Sequence, residues 1–337
     1  MKITFFEVSK EDQDVLTSSM AGLNFDISFS EDKINTENLH LAKDAEIVSV
    51  FVNSEMNKEI IDQLPSLKFI ATRSTGFDHI DIKYCSSKGI QVSNVPSYGS
   101  RTVAEFAFAL LLSLSRRAYV ANKQICEKND FSIGGFEGFD LFGKTIGIVG
   151  TGKIGKNSAR IAKGFGMKVL ATDLYPDFNF SEEEGIEYVP LIELLSVCDI
   201  VSIHAPYNET TFHLINKDNI KQFKKGAYLI NTARGEIVET EALLNGLKDG
   251  TLAGAGLDVL ECERKLKDEV KFFASGKASE EDKKNIALNH ELVKMPNVIM
   301  TPHIAFYTKE AVAEILKTTV ENINAFIAGS LQNLITQ

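Results

Sequence analysis

The sequence predicts an α/β protein built on two parallel sheets, each covered by helices. Three observations lead there. The chain has 337 residues, enough for about two domains at roughly 150 residues each. Apolar runs of strand length alternate with helix-like polar stretches, once before and once after a long apolar helix. A glycine motif stands between a strand and a helix at the head of the second series, the pattern of a doubly wound sheet.

In the first series the candidate strands are residues 2–7, 26–29, 47–52, 68–73 and 90–94, with a helix expected over 56–64 from apolar spacings of three and four. Residues 100–120 form the long helix. It is apolar nearly all round, so it needs either a core or a second subunit to cover it. A glycine-punctuated loop (Gly134, Gly135, Gly138) leads into a strand at 144–149. Further strands are expected at 168–173, 200–204, 227–231, 253–258 and 298–300. Helices are expected at 153–164, 191–197, 217–223 and 239–248. Residues 263–297 are highly charged and read as a helical surface excursion. The chain closes in a helix over 309–328.

Composition excludes several functions. Lys and Arg number 36 against 46 Asp and Glu, a net charge of −10. Such a balance argues against nucleic acid, whose binding rests on cations. No run of about 18 uncharged apolar residues exists to span a membrane; the longest, 103–114, contains Glu105. The first residues become charged again too soon for a signal peptide. The 4 cysteines, Cys85, Cys126, Cys198 and Cys262, are far apart and show neither a CxxC nor a zinc spacing. Reduced thiols, a cytoplasmic location and no metal are therefore expected.

The glycine motif is Gly150-Thr151-Gly152-Lys153-Ile154-Gly155. Gly150 would make the tight turn, Gly152 would let backbone approach a pyrophosphate, and Gly155 would let helix and strand pack closely. The helix N-terminus would face the anion. Asp173 ends the next strand, about twenty residues on, where an acid accepts the ribose hydroxyls. Its charge would repel a 2′-phosphate, and Leu174-Tyr175-Pro176 supplies no cation. NAD is thus expected over NADP. A substrate site belongs at the carboxyl ends of the same strands. Arg234, Glu263 and His303 each stand just beyond such an end. Taken singly, each also reads as an ordinary surface or structural residue.

The motifs together resemble the D-isomer-specific 2-hydroxyacid dehydrogenases over nearly the whole chain. The resemblance rests on residues 73–81 (RSTGFDHID), 94–99 (NVPSYG), 102–106 (TVAEF), 141–147 (LFGKTIG), 204–206 (HAP), 231–235 (NTARG), 256–259 (GLDV) and 301–305 (TPHIA), in that order. Glu261-Cys262-Glu263, Tyr98 and Phe306 are most similar to the branch acting on D-lactate. The resemblance implies two Rossmann-like domains. A flavodoxin-like substrate domain would comprise residues 1–99 and 303–337. A doubly wound, NAD-binding Rossmann domain would comprise residues 100–302, with the dimerisation helix 100–120. A cleft between them would close on substrate.

It also implies a trio for reducing pyruvate with NADH. His303 would be the general acid and base. Glu263 would hydrogen-bond the imidazole and raise its pKa. Arg234 would bind the substrate carboxylate with its planar fork. Thr75 and Gly76 would complete that cradle, and Tyr98, Phe306 and Phe51 would crowd the substrate's side chain. Cofactor contacts fall to Lys153, Ile154, Ala205, Pro206, Thr211, Thr232, Ala233, Arg234 and Asp258, with Asp258 facing the nicotinamide amide or Arg234. The implied partners are a small 2-oxo or 2-hydroxy acid and a second copy in a homodimer. Relatives preferring 2-oxoisocaproate or phenylpyruvate, or making D-lactate for cell-wall precursors, differ by few pocket residues. A non-catalytic NADH sensor of the corepressor type is the reading from another class. His79, His204 and His213 are expected to be structural or cofactor-adjacent, and His40 and His290 to lie on the surface. Cys262 is expected to be a bystander.

Overall fold

The computed structural model describes residues 1–21, 25–266, 269–274, 276 and 278–335. The chain divides into two compact units, Met1–Tyr98 with Tyr307–Gln337, and Gly99–Phe306.

In the first unit, strands β1 (Lys2–Phe5), β2 (Asp26–Phe29), β3 (Ile47–Val50), β4 (Phe69–Thr72) and β5 (Gln91–Ser93) form one sheet in the order β2-β1-β3-β4-β5. Every pairing is parallel. This is the flavodoxin-like order. Parallel strands need both faces covered, and β3 and β4 are buried at every residue. Helices α1 (Lys10–Ser19), α2 (Lys58–Ile61) and α3 (Ile82–Ser87) start where Ser9, Asn57 and Asp81 accept a backbone amide from the first turn. The helix expected over 56–64 shrinks to α2, because Met56 is drawn into a bridge with Ile80. The C-terminal helix, Lys309–Ile327, returns to this unit and stacks Phe326 on Phe69 with ring centroids 4.5 Å apart.

The second unit opens with α4 (Ser100–Arg116) and α5 (Ala118–Lys128). The single helix expected over 100–120 is therefore two. Arg117 takes a left-handed conformation, φ 49°, and ends α4, and its guanidinium donates to the Gly135 carbonyl. The sheet that follows contains β6 (Thr145–Val149), β7 (Lys168–Thr172), β8 (Glu187–Tyr188), β9 (Ile200–Ile203), β10 (Ala227–Asn231), β11 (Leu252–Leu257) and β12 (Val298–Met300). Its order is β12-β11-β10-β9-β6-β7-β8, and all pairings are parallel. The order reverses at β6, between β7 and β9, so the crevice for a ligand lies at the carboxyl ends there. Around the sheet run α6 (Lys153–Gly164), α7 (Phe178–Glu184), α8 (Leu191–Val197), α9 (Thr240–Lys248), α10 (Glu263–Leu266), α11 (Glu269–Ala274) and α12 (Glu280–Val293).

Two further expectations change. The helix expected at 217–223 is one 3-10 turn, Ile220–Gln222, because the Asn216 and Asn219 side chains accept from the Asp218 and Asn216 amides and fold the residues before it into a local turn instead. The charged stretch 263–297 is helical but not merely a surface excursion. α12 starts from a Ser279–Asp282 capping box and buries Ile286, Asn289 and Leu292. Residues 267, 268, 275 and 277 of that stretch lie outside the described residues. No helix among the described residues is long and apolar enough to cross a membrane.

His204, at the end of β9, is buried, and its Nε2 meets the Ser202 hydroxyl at 2.9 Å. Burial pushes its pKa down to about 4. An unfolded histidine takes up its proton near 6.5, so the unfolded state gains protons first as pH falls. Stability attributable to His204 is intact above about pH 6.5 and declines through the window down to pH 4. Urea unfolding at pH 7.5 and pH 5 should show a difference about 2 kcal/mol smaller in His204→Gln than in the parent. An unchanged difference would remove His204 from the acid limb.

Candidate active site

The glycine turn follows β6. Gly150 has φ +91°, and a Cβ there would lie 2.6 Å from the Ala205 amide nitrogen. A Cβ on Gly155 would lie 2.0 Å from the Gly150 carbonyl oxygen. Gly152, by contrast, faces open space and precedes α6 with no side-chain cap. The α6 amides are thus left to whatever approaches Gly152, with Lys153 and Ile154 in the first turn. Ala205 and Pro206 follow β9, and Ala205 sits against this turn. Thr232 is buried, and its Oγ1 has no hydrogen-bond partner among the described residues. An open backbone cradle after β6 and an orphaned hydroxyl after β10, at the carboxyl ends of one sheet, fit a bound dinucleotide. Thr211 fits less directly: its hydroxyl is committed to the local turn through Pro206 and Asn208.

Asp173 follows β7. Its Oδ2 accepts from the Thr151 amide at 2.6 Å and the Thr151 hydroxyl at 3.0 Å, and its Oδ1 accepts from the Tyr175 amide. Burial pulls this carboxyl upward, but the Thr151 and Tyr175 donors outweigh it and hold the group below its usual range. Tyr188 donates to the Thr151 hydroxyl at 2.8 Å. Sequence reading missed this Tyr188–Thr151–Asp173 chain, since nothing in spacing ties β8 to the glycine turn.

Arg234 follows β10. Asn231, buried at the strand end, accepts from the Ala233 amide and donates to the Arg234 carbonyl at 2.9 Å. The two bonds brace the bend that carries the guanidinium. Gly235 comes next. A Cβ on it would stand 1.9 Å from the Leu260 carbonyl carbon, so only glycine lets this loop lie on the Leu260–Glu261 peptide.

Asp258 follows β11. Its carboxylate accepts from the Thr301 hydroxyl at 2.5 Å, the Ile304 amide at 2.9 Å and the Ala305 amide at 2.8 Å. Burial pushes the carboxyl above its usual value against the pull of these donors. The side chain expected at the nicotinamide amide or Arg234 is therefore committed to the loop after β12. For the same reason His303–Phe306 belong to the second unit, and the returning part of the first begins at Tyr307 rather than at 303.

That loop carries His303, at φ +58°. His303 Nδ1 donates to Glu263 Oε1 at 2.6 Å. Glu263 Oε2 also accepts from the Leu260 amide at 3.3 Å. The structure thus brings Glu263 and His303 into direct contact, with Arg234 on the neighbouring strand end, since β10 pairs with β11.

The remaining candidates are in or beside the first unit. Thr75 and Gly76 lie in the turn after β4, where the Thr75 hydroxyl donates to the Val95 carbonyl at 2.8 Å. Tyr98 ends the first segment of that unit, and Phe306 ends the second unit. Phe51 follows β3, with its amide donating to the Glu7 carboxylate at 3.1 Å. Glu7 also accepts from Asn53 and Ser54, and buried Arg73 donates to the Glu7 carbonyl at 2.8 Å. Sequence reading found Arg73 as part of a motif but missed Glu7. Among the other histidines, His79 meets the Thr72 hydroxyl at 3.0 Å, and His40 and His290 are exposed. No cluster of three or more potential metal ligands occurs among the described residues.

Residues 108–305 match the family model for the D-isomer-specific 2-hydroxyacid dehydrogenase NAD-binding domain. The chain belongs to that family. It is an oxidoreductase, and its second unit is the NAD-binding domain. It is similar to the D-lactate dehydrogenase of Escherichia coli, with 34% identity covering 96% of each chain. It is 35% identical to an aromatic 2-oxoacid reductase of Clostridium sporogenes, over 99% of this chain and 98% of that one. The crystal structure of D-lactate dehydrogenase from Aquifex aeolicus, complexed with NAD and lactic acid, superposes with a TM-score of 0.85. It shares 37% identity and covers 97% of this chain and 96% of its own.

Within this dehydrogenase, Asp258 sets the path of the loop bearing His303. Asp258→Asn replaces an acceptor with a donor facing the Ala305 or Ile304 amide. A hydrogen bond to a charged group contributes about 1.5–3 kcal/mol. Exchange of those two amides should therefore accelerate by about ten- to a hundredfold in a hydrogen–deuterium experiment. Unchanged protection would show that the loop is held by other contacts.

Proposed function

We propose that this 2-hydroxyacid dehydrogenase interconverts pyruvate and D-lactate with NAD. The observation that carries the proposal is the 2.6 Å contact between His303 Nδ1 and Glu263 Oε1 in a loop tied to the NAD-binding sheet. With Nδ1 engaged by the carboxylate, Nε2 is the nitrogen left to give a proton to the substrate's carbonyl oxygen, and to take it back in the reverse direction. Glu263 orients the ring through that contact. Arg234 binds the substrate carboxylate through two parallel N–H donors, which fixes the ketone beside His303. NADH supplies the hydride when bound. Asp173, kept ionised by Thr151 and Tyr175, accepts from the ribose hydroxyls and repels a 2′-phosphate.

In the first unit, the backbone of Thr75 and Gly76 is assigned to the carboxylate, and Phe51 and Tyr98, with Phe306 of the second, to the side chain. Aromatic bulk at these positions favours a methyl group. A homodimer in the cytoplasm is the proposed working form. α5 buries no residue and exposes Tyr119, Val120 and Ile125, a face that suits burial against a second copy. The similarity to an aromatic 2-oxoacid reductase supports a second reading, reduction of a larger 2-oxo acid.

NADH oxidation with pyruvate, 2-oxoisocaproate, phenylpyruvate, hydroxypyruvate and glyoxylate separates the readings. Pyruvate should have the highest kcat/KM. A preference of about tenfold or more for phenylpyruvate would move the assignment to the larger substrates. NADH binding without turnover on any of the five would make the chain a sensor. Arg234→Lys should lower kcat/KM on the order of a hundredfold by breaking the two-point contact; near-parental kinetics would refute its role. Asp173→Ser should narrow the preference for NAD over NADP by about tenfold, and an unchanged ratio would remove Asp173 from cofactor selection.

A further inference from the structure

Glu261 stands two residues before Glu263, yet it bonds to different partners. Its side chain is only 5% exposed. Oε2 accepts from the Thr240 amide at 2.7 Å and the Thr240 hydroxyl at 2.5 Å, at the N-terminus of α9. Oε1 meets His213 Nε2 at 2.7 Å. The Glu261 carbonyl accepts from Asn289 of α12 at 2.8 Å. A buried carboxylate is tolerated only when its acceptor positions are filled in this way. The peptide before it is pressed on by Gly235. Immediately after it, Cys262 takes φ +60°, a conformation costly for a residue with a side chain. The chain turns there, and Glu263 begins α10 with its carboxylate on His303.

We propose that Glu261 is the positioning residue for the Glu263–His303 pair. It pins the segment from behind to α9, to His213 and, through its carbonyl, to α12. That anchoring holds Cys262 in its left-handed turn and fixes where Glu263 presents its carboxylate. His213, whose amide bonds to the Glu236 carbonyl, extends the tie to the loop that follows Arg234. Glu261 touches none of the reacting atoms and acts only through Glu263. The inference rests on the reading of Glu263 and His303 as the acid–base pair.

A double-mutant cycle tests it, using the 2-oxo acid that the parent reduces fastest. Glu261→Ala should lower kcat on the order of tenfold or more, because small misplacement of a catalytic group is costly. Its KM for NADH and for the 2-oxo acid should stay within about twofold. Glu261→Gln keeps an acceptor for Thr240 and should restore most of the lost kcat. In the Glu263→Gln background, Glu261→Ala should cost little more, since the group it positions is already gone. Full kcat in Glu261→Ala, or multiplicative losses in the double variant, would overturn the proposal. Full activity in Glu263→Gln would instead overturn the reading of the pair itself. Should Glu261→Ala fail to fold, Thr240→Val and His213→Leu, each removing one contact to the carboxylate, carry the same cycle with the same outcomes.

Discussion

The Asp258 carboxylate is the constraint on which the proposed chemistry depends. It stands at the end of a buried strand and collects one hydroxyl and two amides from residues 301–305. A charged acceptor in a low-dielectric setting makes those bonds strong, and leaving any donor unmet would be expensive. The loop after β12 therefore has little choice of path. His303 is carried at a left-handed backbone position, a conformation an unsupported loop would not hold. The imidazole reaches Glu263 because Asp258 has already decided where the backbone runs. Burial raises the pKa of Asp258, so ionisation costs more there than in water, and the three donors offset part of that cost.

Much of the fold is legible in the sequence. The glycine spacing predicts a tight strand-to-helix turn, and the structure supplies the steric reasons: Gly150 against Ala205, Gly155 against Gly150, Gly152 open. Strand positions came through because parallel strands buried on both faces are nearly continuous apolar runs. What stayed hidden depends on contacts between segments distant in sequence. The link from Tyr188 to Thr151, the clasp of Glu7 on residues 51–54, and the bonds of Glu261 to Thr240 and His213 leave no periodic trace. Arg117 breaks the helix expected over 100–120 with no proline or glycine to announce it. The α12 start was different. Its Ser279–Asp282 capping box is a readable signal, and the charge of the surrounding stretch masked how much of that helix packs inward.

Charge acts locally in this molecule. The chain is acidic, at −10, although both the cofactor and the proposed substrate are anions. Global attraction cannot gather them. On the proposed assignments, backbone amides at the head of α6 and the guanidinium of Arg234 would provide the positive field at short range. Asp173 shows the opposite use of the same rule. A single carboxylate, kept ionised by neighbouring donors, is proposed to discourage one phosphate in a particular place.

Arg234, Glu263, His303 and the glycine turn all belong to one compact unit, Gly99–Phe306. Phe51, Thr75, Gly76 and Tyr98, four of the residues proposed for the substrate, belong to the other, while Phe306 stays with Arg234 and His303. On the proposed assignments, drift in the first unit would reshape part of what is recognised and leave the Glu263–His303 pair in place. A lineage built this way can diversify its diet by mutating one module while selection guards the other. Relatives at near-equal identity bear the names of a lactate and an aromatic-acid enzyme.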